Sequence, residues 1–485
     1  MNLKVFGKNT FIYSIGTVFL RASSFLLIPL YTHYLSLSDY GLLATLLLTT
    51  QILNTLIDLG VRSGIMRFMS QYENENRIGK LLGSALSINM FNGILVSCIS
   101  FIIIGVIFRD ILNIDEANDY IILICLIAIF QSLCVTVISY YRATQQGLSY
   151  MLASISAGIL LIITNALFLI ILQKGILGIL FAQISTYGCL FAFFSLKIFH
   201  KLHFGISKDI ISKLLKFGFP LIFAMSGDLL TVTTAAYFLG FFSNFETVGI
   251  YNLGLKIAQI AGMVLILPFQ LAYEPFVFNN LDNPGIDRTI SRIITYLMFA
   301  FFIICIGIVF IFRDLIKIIA PPEYESAYLF VFFILPGIGF TGIQYVGQSL
   351  LHAKNKTNIT GLIVFSFTLF SILLNYIMAK YWDIYGIIIV YNFTQIGIAY
   401  LLLVLGIKYL PISLDLKRLT VIAFMTVLSL ALLFVLRDSS SYYYYSFIPL
   451  YMAVILIGIY FFNLLDAEEK NILDTFFYKL IQNKN

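Results

Sequence analysis

Five ionisable side chains stand inside long apolar runs of this 485-residue chain: Arg21, Asp58, Arg62, Asp228 and Lys256. A charge at the centre of a bilayer costs at least about 2.5–3.5 kcal/mol on insertion scales, so such residues face a bundle interior or a water-filled cavity. Three cations against two carboxylates leave an excess of positive charge, suited to a phosphate or another anionic head group. Asp58 and Arg62 are four apart on one helix face, where they either pair with each other or reach a substrate. Arg21 has no partner at helical spacing; it either pairs with Asp58 across a helix interface or faces the cavity. Lys256 has the same choice between Asp228 and the cavity.

No other chemistry competes with this set. The sequence holds no HExxH, no P-loop and no nucleophile elbow. The histidines (His33, His200, His203, His352) fall at span ends or in a basic linker. The cysteines (Cys98, Cys125, Cys134, Cys189, Cys305) sit in apolar runs without metal-ligand spacing and read as packing residues.

The elements that must position the five charges are membrane spans. Hydrophobic residues make up 60% of the chain and charged residues 11%, against about 25% charged in soluble domains. A span needs about 20 mostly apolar residues, and runs of that kind recur from one end of the sequence to the other. The fold class is therefore an all-α polytopic membrane protein of about fourteen transmembrane helices, beginning with 10–31 and 42–66 and closing with 419–436 and 446–464. A soluble enzyme, a nucleic-acid-binding domain and a receptor with a large ectodomain are excluded. With the N-terminus cytoplasmic, 21 Lys and Arg lie in inside segments and 6 in outside loops. That asymmetry places both termini in the cytoplasm, and the net charge of +6 needs no nucleic-acid partner.

A repeat organises the spans. Phe6-Gly7 before span 1 matches Phe217-Gly218 before span 7, Arg142-Ala143 matches His352-Ala353, and Asn165 matches Asn375, all at an offset of 210 or 211. The turn after span 1 (Leu35 to Gly41) resembles the turn after span 7 (Phe242 to Gly249). The chain thus divides into an N-terminal lobe of six spans (1–200), a basic cytoplasmic linker (201–216), a C-terminal lobe of six spans (217–410), and two further spans with a tail (411–485). Six-span halves in the same orientation are one of the two repeat designs of transporters. Prolines at 29, 220, 268 and 336 mark sites of bending, and the run Tyr442 to Tyr445 reads as an interfacial aromatic belt.

Several short motifs carry a family resemblance. Phe25-Leu26-Leu27-Ile28-Pro29-Leu30-Tyr31 with Leu35 and Ser38-Asp39-Tyr40-Gly41 resembles the opening of the oligosaccharide flippases, the polysaccharide transporter family of the MOP flippase superfamily. Asp58-Leu59-Gly60 with Arg67-Phe68 is similar to its second span. Val248-Gly249-Ile250-Tyr251 with Lys256-Ile257-Ala258, Pro275, Pro322-Glu323-Tyr324 with Ala327, Lys354-Asn355-Lys356-Thr357 and Leu374-Asn375-Tyr376 continue the likeness over about three quarters of the chain. One departure stands out: Ala235 and Ala236 precede Tyr237-Phe238-Leu239 where the family often has an Asp-Arg pair. Any role of that pair is absent here or moved, with Asp228 as the nearest candidate.

The resemblance implies the MATE-like fold and a flippase of the plasma membrane. Its cargo would be an oligosaccharide on a polyprenyl diphosphate (or, in archaea, a dolichol carrier), moved from the inner to the outer leaflet for surface polysaccharide synthesis. Related peptidoglycan lipid flippases keep cations on helices 1, 2 and 8, the helices of Arg21, Arg62 and Lys256. Those three are the expected head-group ligands, working by alternating access between the lobes. The resemblance brings no resident cofactor; Na+ or H+ coupling would use Asp58 or Asp228. Membrane lipids, a polymerase and glycosyltransferases of the same pathway are the expected partners. Two rivals remain: a multidrug exporter of the same superfamily, which prefers an acidic cavity, and a membrane polymerase or glycosyltransferase, which needs a larger outside loop than any here.

Overall fold

The computed structural model describes residues 3–438 apart from 75, 76, 113, 115, 200–204, 282–284 and 355, together with Tyr444 and Ser446. Backbone amides in hydrocarbon must bond within their own segment, which leaves helices as the answer to a sequence of apolar runs. Among the described residues the chain is all-helical. The N-terminal lobe comprises α1 (Leu3–Tyr34), α2 (Leu37–Asp58), α3 (Val61–Asn74), α4 (Ile78–Val106), α5 (Ala117–Ala143), α6 (Gly147–Ala166) and α7 (Gly175–Phe199). The C-terminal lobe comprises α8 (Lys208–Met225), α9 (Gly227–Phe242), α10 (Phe245–Ala261), α11 (Leu267–Asn280), α12 (Ile286–Ile319), α13 (Ala327–Ala353) and α14 (Thr357–Tyr409), and α15 (Leu416–Leu436) packs on α12 and α13. Among the described residues, eleven helices are long and apolar enough to cross a membrane, or twelve with one bent pair counted as a span. The chain is a multi-pass membrane protein.

Three stretches depart from the expected straight spans. The second span breaks after Asp58, where Leu59 (φ 46°) and Gly60 (φ 72°) both turn left-handed. Gly60 lies against the backbone of Gly218, an approach that leaves no room for a Cβ. The seventh bends by 57° between α8 and α9, and its first turns, Lys208 to Lys216, take up part of the expected linker. Spans 11 and 12 merge into α14 across a kink at Asp383 (φ 51°, ψ −136°). The last expected span, 446–464, and the Tyr442 to Tyr445 run fall outside the described residues, Tyr444 and Ser446 aside, as do His200 and His203.

The repeat is visible in the packing. Gly16 of α1 faces Ser154 of α6, and Gly227 of α9 faces Val364 of α14, offsets of 211 and 210. The two similar turns are alike because each caps a helix. Ser36 accepts the Asp39 amide at 3.1 Å and Asn244 accepts the Thr247 amide at 2.8 Å, satisfying donors that a helix start leaves open.

The lobes meet closely at the end of the bundle that carries these turns. Gly41 of α2 lies on the Phe245 carbonyl and Gly249 of α10 on the Leu37 carbonyl, so small residues let the two helices touch backbone to backbone. Thr32 donates to the Ile319 carbonyl at 2.7 Å, and the Tyr40 and Tyr324 rings meet edge to face at 5.6 Å. At the opposite end α3 packs on α8 through Gly64 against Leu214 and Phe68 against Phe217.

Candidate functional site

Helix geometry decides which of the five charges share a level. The closed end of the bundle is marked by Tyr34, where α1 stops, and by Phe245, where α10 starts. At 1.5 Å of rise per residue, Arg21 and Lys256 both lie roughly 17–20 Å below that end, near the middle of a bilayer. Asp228, in the first turn of α9, sits at a similar depth below Phe242. Asp58 is the last residue of α2, roughly 32 Å from the closed end.

Arg21 and Lys256 converge. Both line one cavity of about 580 Å³ between α1, α2, α10 and α12, whose wall also includes Ser24, Gln51, Gln259 and Met263. Among the described residues that wall carries two cations and no carboxylate. Arg21 is exposed into it and makes no ion pair among the described residues. The Lys256 ammonium lies 5.5 Å from the centre of the Tyr40 ring, a cation–π contact that leaves its hydrogen-bonding capacity open. Just beyond Lys256 the helix loosens into a π turn, Gly262–Ile266, which puts Met263 on the cavity wall. Such turns are frequent at functional sites.

Arg62 does not join them. Its guanidinium pairs with Asp58 at 3.4 Å, across the break at Leu59-Gly60, and the Arg62 amide also reaches that carboxylate at 3.4 Å. Asp58 is 4% exposed, so the pair is anchored on its acidic side. Of the two alternatives for Asp58, the structure takes the one within its own span, and Arg21 is left to the cavity.

Asp228 also finds a partner other than Lys256. Gln395 of α14 donates to it at 3.1 Å. No cluster of three or more His, Cys, Asp or Glu with metal-holding geometry occurs among the described residues.

A second chamber of about 280 Å³ opens behind Lys256 into the N-terminal lobe. Ser24, Gln51 and Lys256 belong to both walls, so the two spaces adjoin. The rest of its polar lining is neutral and includes Gln131, Gln183, Tyr187 and Asn252. A search for charges passes over these residues; the signal that finds them is the amide side chain itself, placed in an apolar span without a charged reason to be there.

The fold has clear relatives. The lipid II flippase MurJ, in an inward closed conformation, superposes with a TM-score of 0.71 over 93% of this chain and 98% of its own, at 16% identity. A mutant of the MATE transporter VcmN of Vibrio cholerae gives 0.60 over 84% and 96%, at 16% identity. A MOP superfamily transporter from Pyrococcus furiosus gives 0.60 over 84% and 95%, at 15% identity. The chain shares the fold of these three proteins. No curated protein sequence matches the chain. The family model for polysaccharide biosynthesis proteins matches residues 6–280, more than half of the sequence, and the chain belongs to that family.

Proposed function

We propose that this protein is a flippase that carries a polyprenyl-diphosphate-linked oligosaccharide from the inner to the outer leaflet of the plasma membrane, with both termini in the cytoplasm. The observation that carries the reading is the joining of Arg21 and Lys256 in one mid-depth cavity without a facing carboxylate among the described residues. Two cations in a space of low dielectric suit a diphosphate, which accepts charge-assisted hydrogen bonds from both. Membership of a polysaccharide biosynthesis family supports the sugar, and the structural likeness to a lipid II flippase supports a lipid carrier.

The head group enters the cavity while the prenyl tail stays in lipid, passing between α1 and α10. The glycine contacts of Gly41 and Gly249 part when the cavity opens toward the other leaflet. Asp58 is occupied by Arg62, which favours Asp228 as the site of a coupling ion. The membrane potential, about 2.3 kcal/mol per charge per 100 mV, is a further source of drive.

Depletion of the protein in its native cell tests the reading. Complete lipid-linked units then accumulate on the cytoplasmic face, where mass spectrometry identifies them. Undisturbed units together with new sensitivity to cationic drugs would favour an exporter.

A further inference from the structure

The chamber behind Lys256 has a chemistry unlike that of the cavity it joins. Its floor and walls come from α1, α2, α5, α6, α7 and α10, all membrane helices, yet much of the lining is amide or hydroxyl. Neutral polar side chains in a membrane interior find partners within the bundle or in water, because an unmade hydrogen bond there is costly. Several here have none among the described residues. Asn252 is only 5% exposed, lines the chamber, and its Oδ1 meets no donor. The side-chain amides of Gln51 and Gln183 make no hydrogen bond among the described residues. Gln131 donates to the Tyr187 hydroxyl at 3.3 Å, and Tyr31 donates to Asn165 at 2.9 Å, which fixes both rings against the space.

The set therefore combines free acceptors, free donors and two immobilised aromatic faces, and its nearest charge is the Lys256 ammonium at the mouth. A cationic ligand has no carboxylate to meet. A prenyl tail would strand the amides. A second phosphate would find a single cation that is already committed to the first cavity. A sugar ring fits each feature: adjacent hydroxyls donate and accept to amides together, and the ring's C–H face lies on an aromatic side chain. The chamber also has the right address, since a saccharide attached to a diphosphate held by Arg21 and Lys256 leaves that site from its far side.

Resting on the flippase reading above, we propose that this chamber is a saccharide subsite. It receives the sugar next to the diphosphate, and Gln131, Gln183 and Asn252 select which sugar is accepted. Chamber-lining amides left unpaired by a wrong sugar provide discrimination, as they do wherever a site is built to hydrogen-bond a hydroxyl.

The test compares two ligands on the purified full-length protein by native mass spectrometry: bare polyprenyl diphosphate, and the lipid-linked oligosaccharide pool extracted from the source cells. Gln131→Leu and Gln183→Leu are expected to weaken the glycosylated ligand about tenfold or more, with bare diphosphate binding within twofold of wild type. Lys256→Ala is expected to weaken both. Gln183→Asn, which keeps the amide, controls for folding and is expected to retain part of the preference. Unchanged affinity of both leucine variants for the glycosylated pool overturns the subsite, as does an equal loss of both ligands in variants that remain monodisperse. Binding of neither ligand by the wild-type protein would instead overturn the flippase reading, and the subsite with it.

Discussion

Asn165 of α6 and Asn375 of α14, at equivalent positions of the two halves, each tie the fifth span of a lobe to its first. Asn165 accepts the Tyr31 hydroxyl at 2.9 Å. Asn375 donates to the Thr231 carbonyl and to the Thr234 hydroxyl, both at 3.0 Å. The partners differ, but the junction is the same. Interhelical hydrogen bonds in membranes contribute about 0.6–1.7 kcal/mol, so Asn165→Leu and Asn375→Leu are each expected to lower stability by about 1 kcal/mol. An earlier midpoint in detergent-induced unfolding reads this loss. A change in one lobe only would break the equivalence.

The close contact of Gly41 with the Phe245 carbonyl leaves no space for a side chain. Gly41→Val must separate α2 from α10 or shift their backbones. The expected outcome is a folded protein whose lobes no longer close at this end. Paired cysteines at positions 32 and 319, whose side chain and carbonyl lie 2.7 Å apart in the closed form, would cross-link readily in an otherwise wild-type protein and poorly with Gly41→Val. Equal cross-linking in both would show that this contact does not control closure.

The Arg62–Asp58 pair makes a sharper statement about charge. Removing the arginine leaves a buried carboxylate without its partner, whereas removing both leaves none. Arg62→Ala is expected to cost on the order of 1–3 kcal/mol, and Asp58→Ala added to it to recover part of that loss. Thermal melts of the wild type, Arg62→Ala, Asp58→Ala and the double variant in one detergent check the cycle. A double variant less stable than Arg62→Ala would mean that Asp58 is held by something else.

Asp228→Asn keeps an acceptor for Gln395 and deletes the charge. Its transport is expected to continue at reduced rate and to lose its response to an imposed Na+ or proton gradient in vesicles. A variant that still responds places the coupling ion elsewhere.

Much of this architecture is legible in the residues. Apolar runs mark the spans, and the offset of 210 or 211 locates the repeat, because residues such as Gly16 and Gly227 or Asn165 and Asn375 recur where the same helices meet. Arg21 and Lys256 stand out because an uncompensated charge in an apolar helix has few bland explanations. The breaks are harder to see. Nothing in Asp58-Leu59-Gly60 alone shows that Leu59 turns left-handed, and the backbone packed against this turn, that of Gly218, belongs to the other lobe. Arg62 groups with the other cations by helix number but not by depth: it lies at the far end of its span from the closed turns. The amide chamber escapes a sequence reading because neutral residues become informative only once several helices bring them to one wall.

The most direct measurement is leaflet translocation by the purified protein in liposomes, using lipid-linked oligosaccharide whose exposure is read by an impermeant enzyme. Wild-type protein is expected to deliver the lipid to the far leaflet, while Arg21→Ala and Lys256→Ala each slow delivery about tenfold or more, as the loss of a charge-assisted bond of about 1.5–3 kcal/mol requires. Undiminished delivery by the double variant, folded and present at the same density, would contradict the claim that these two cations hold the head group.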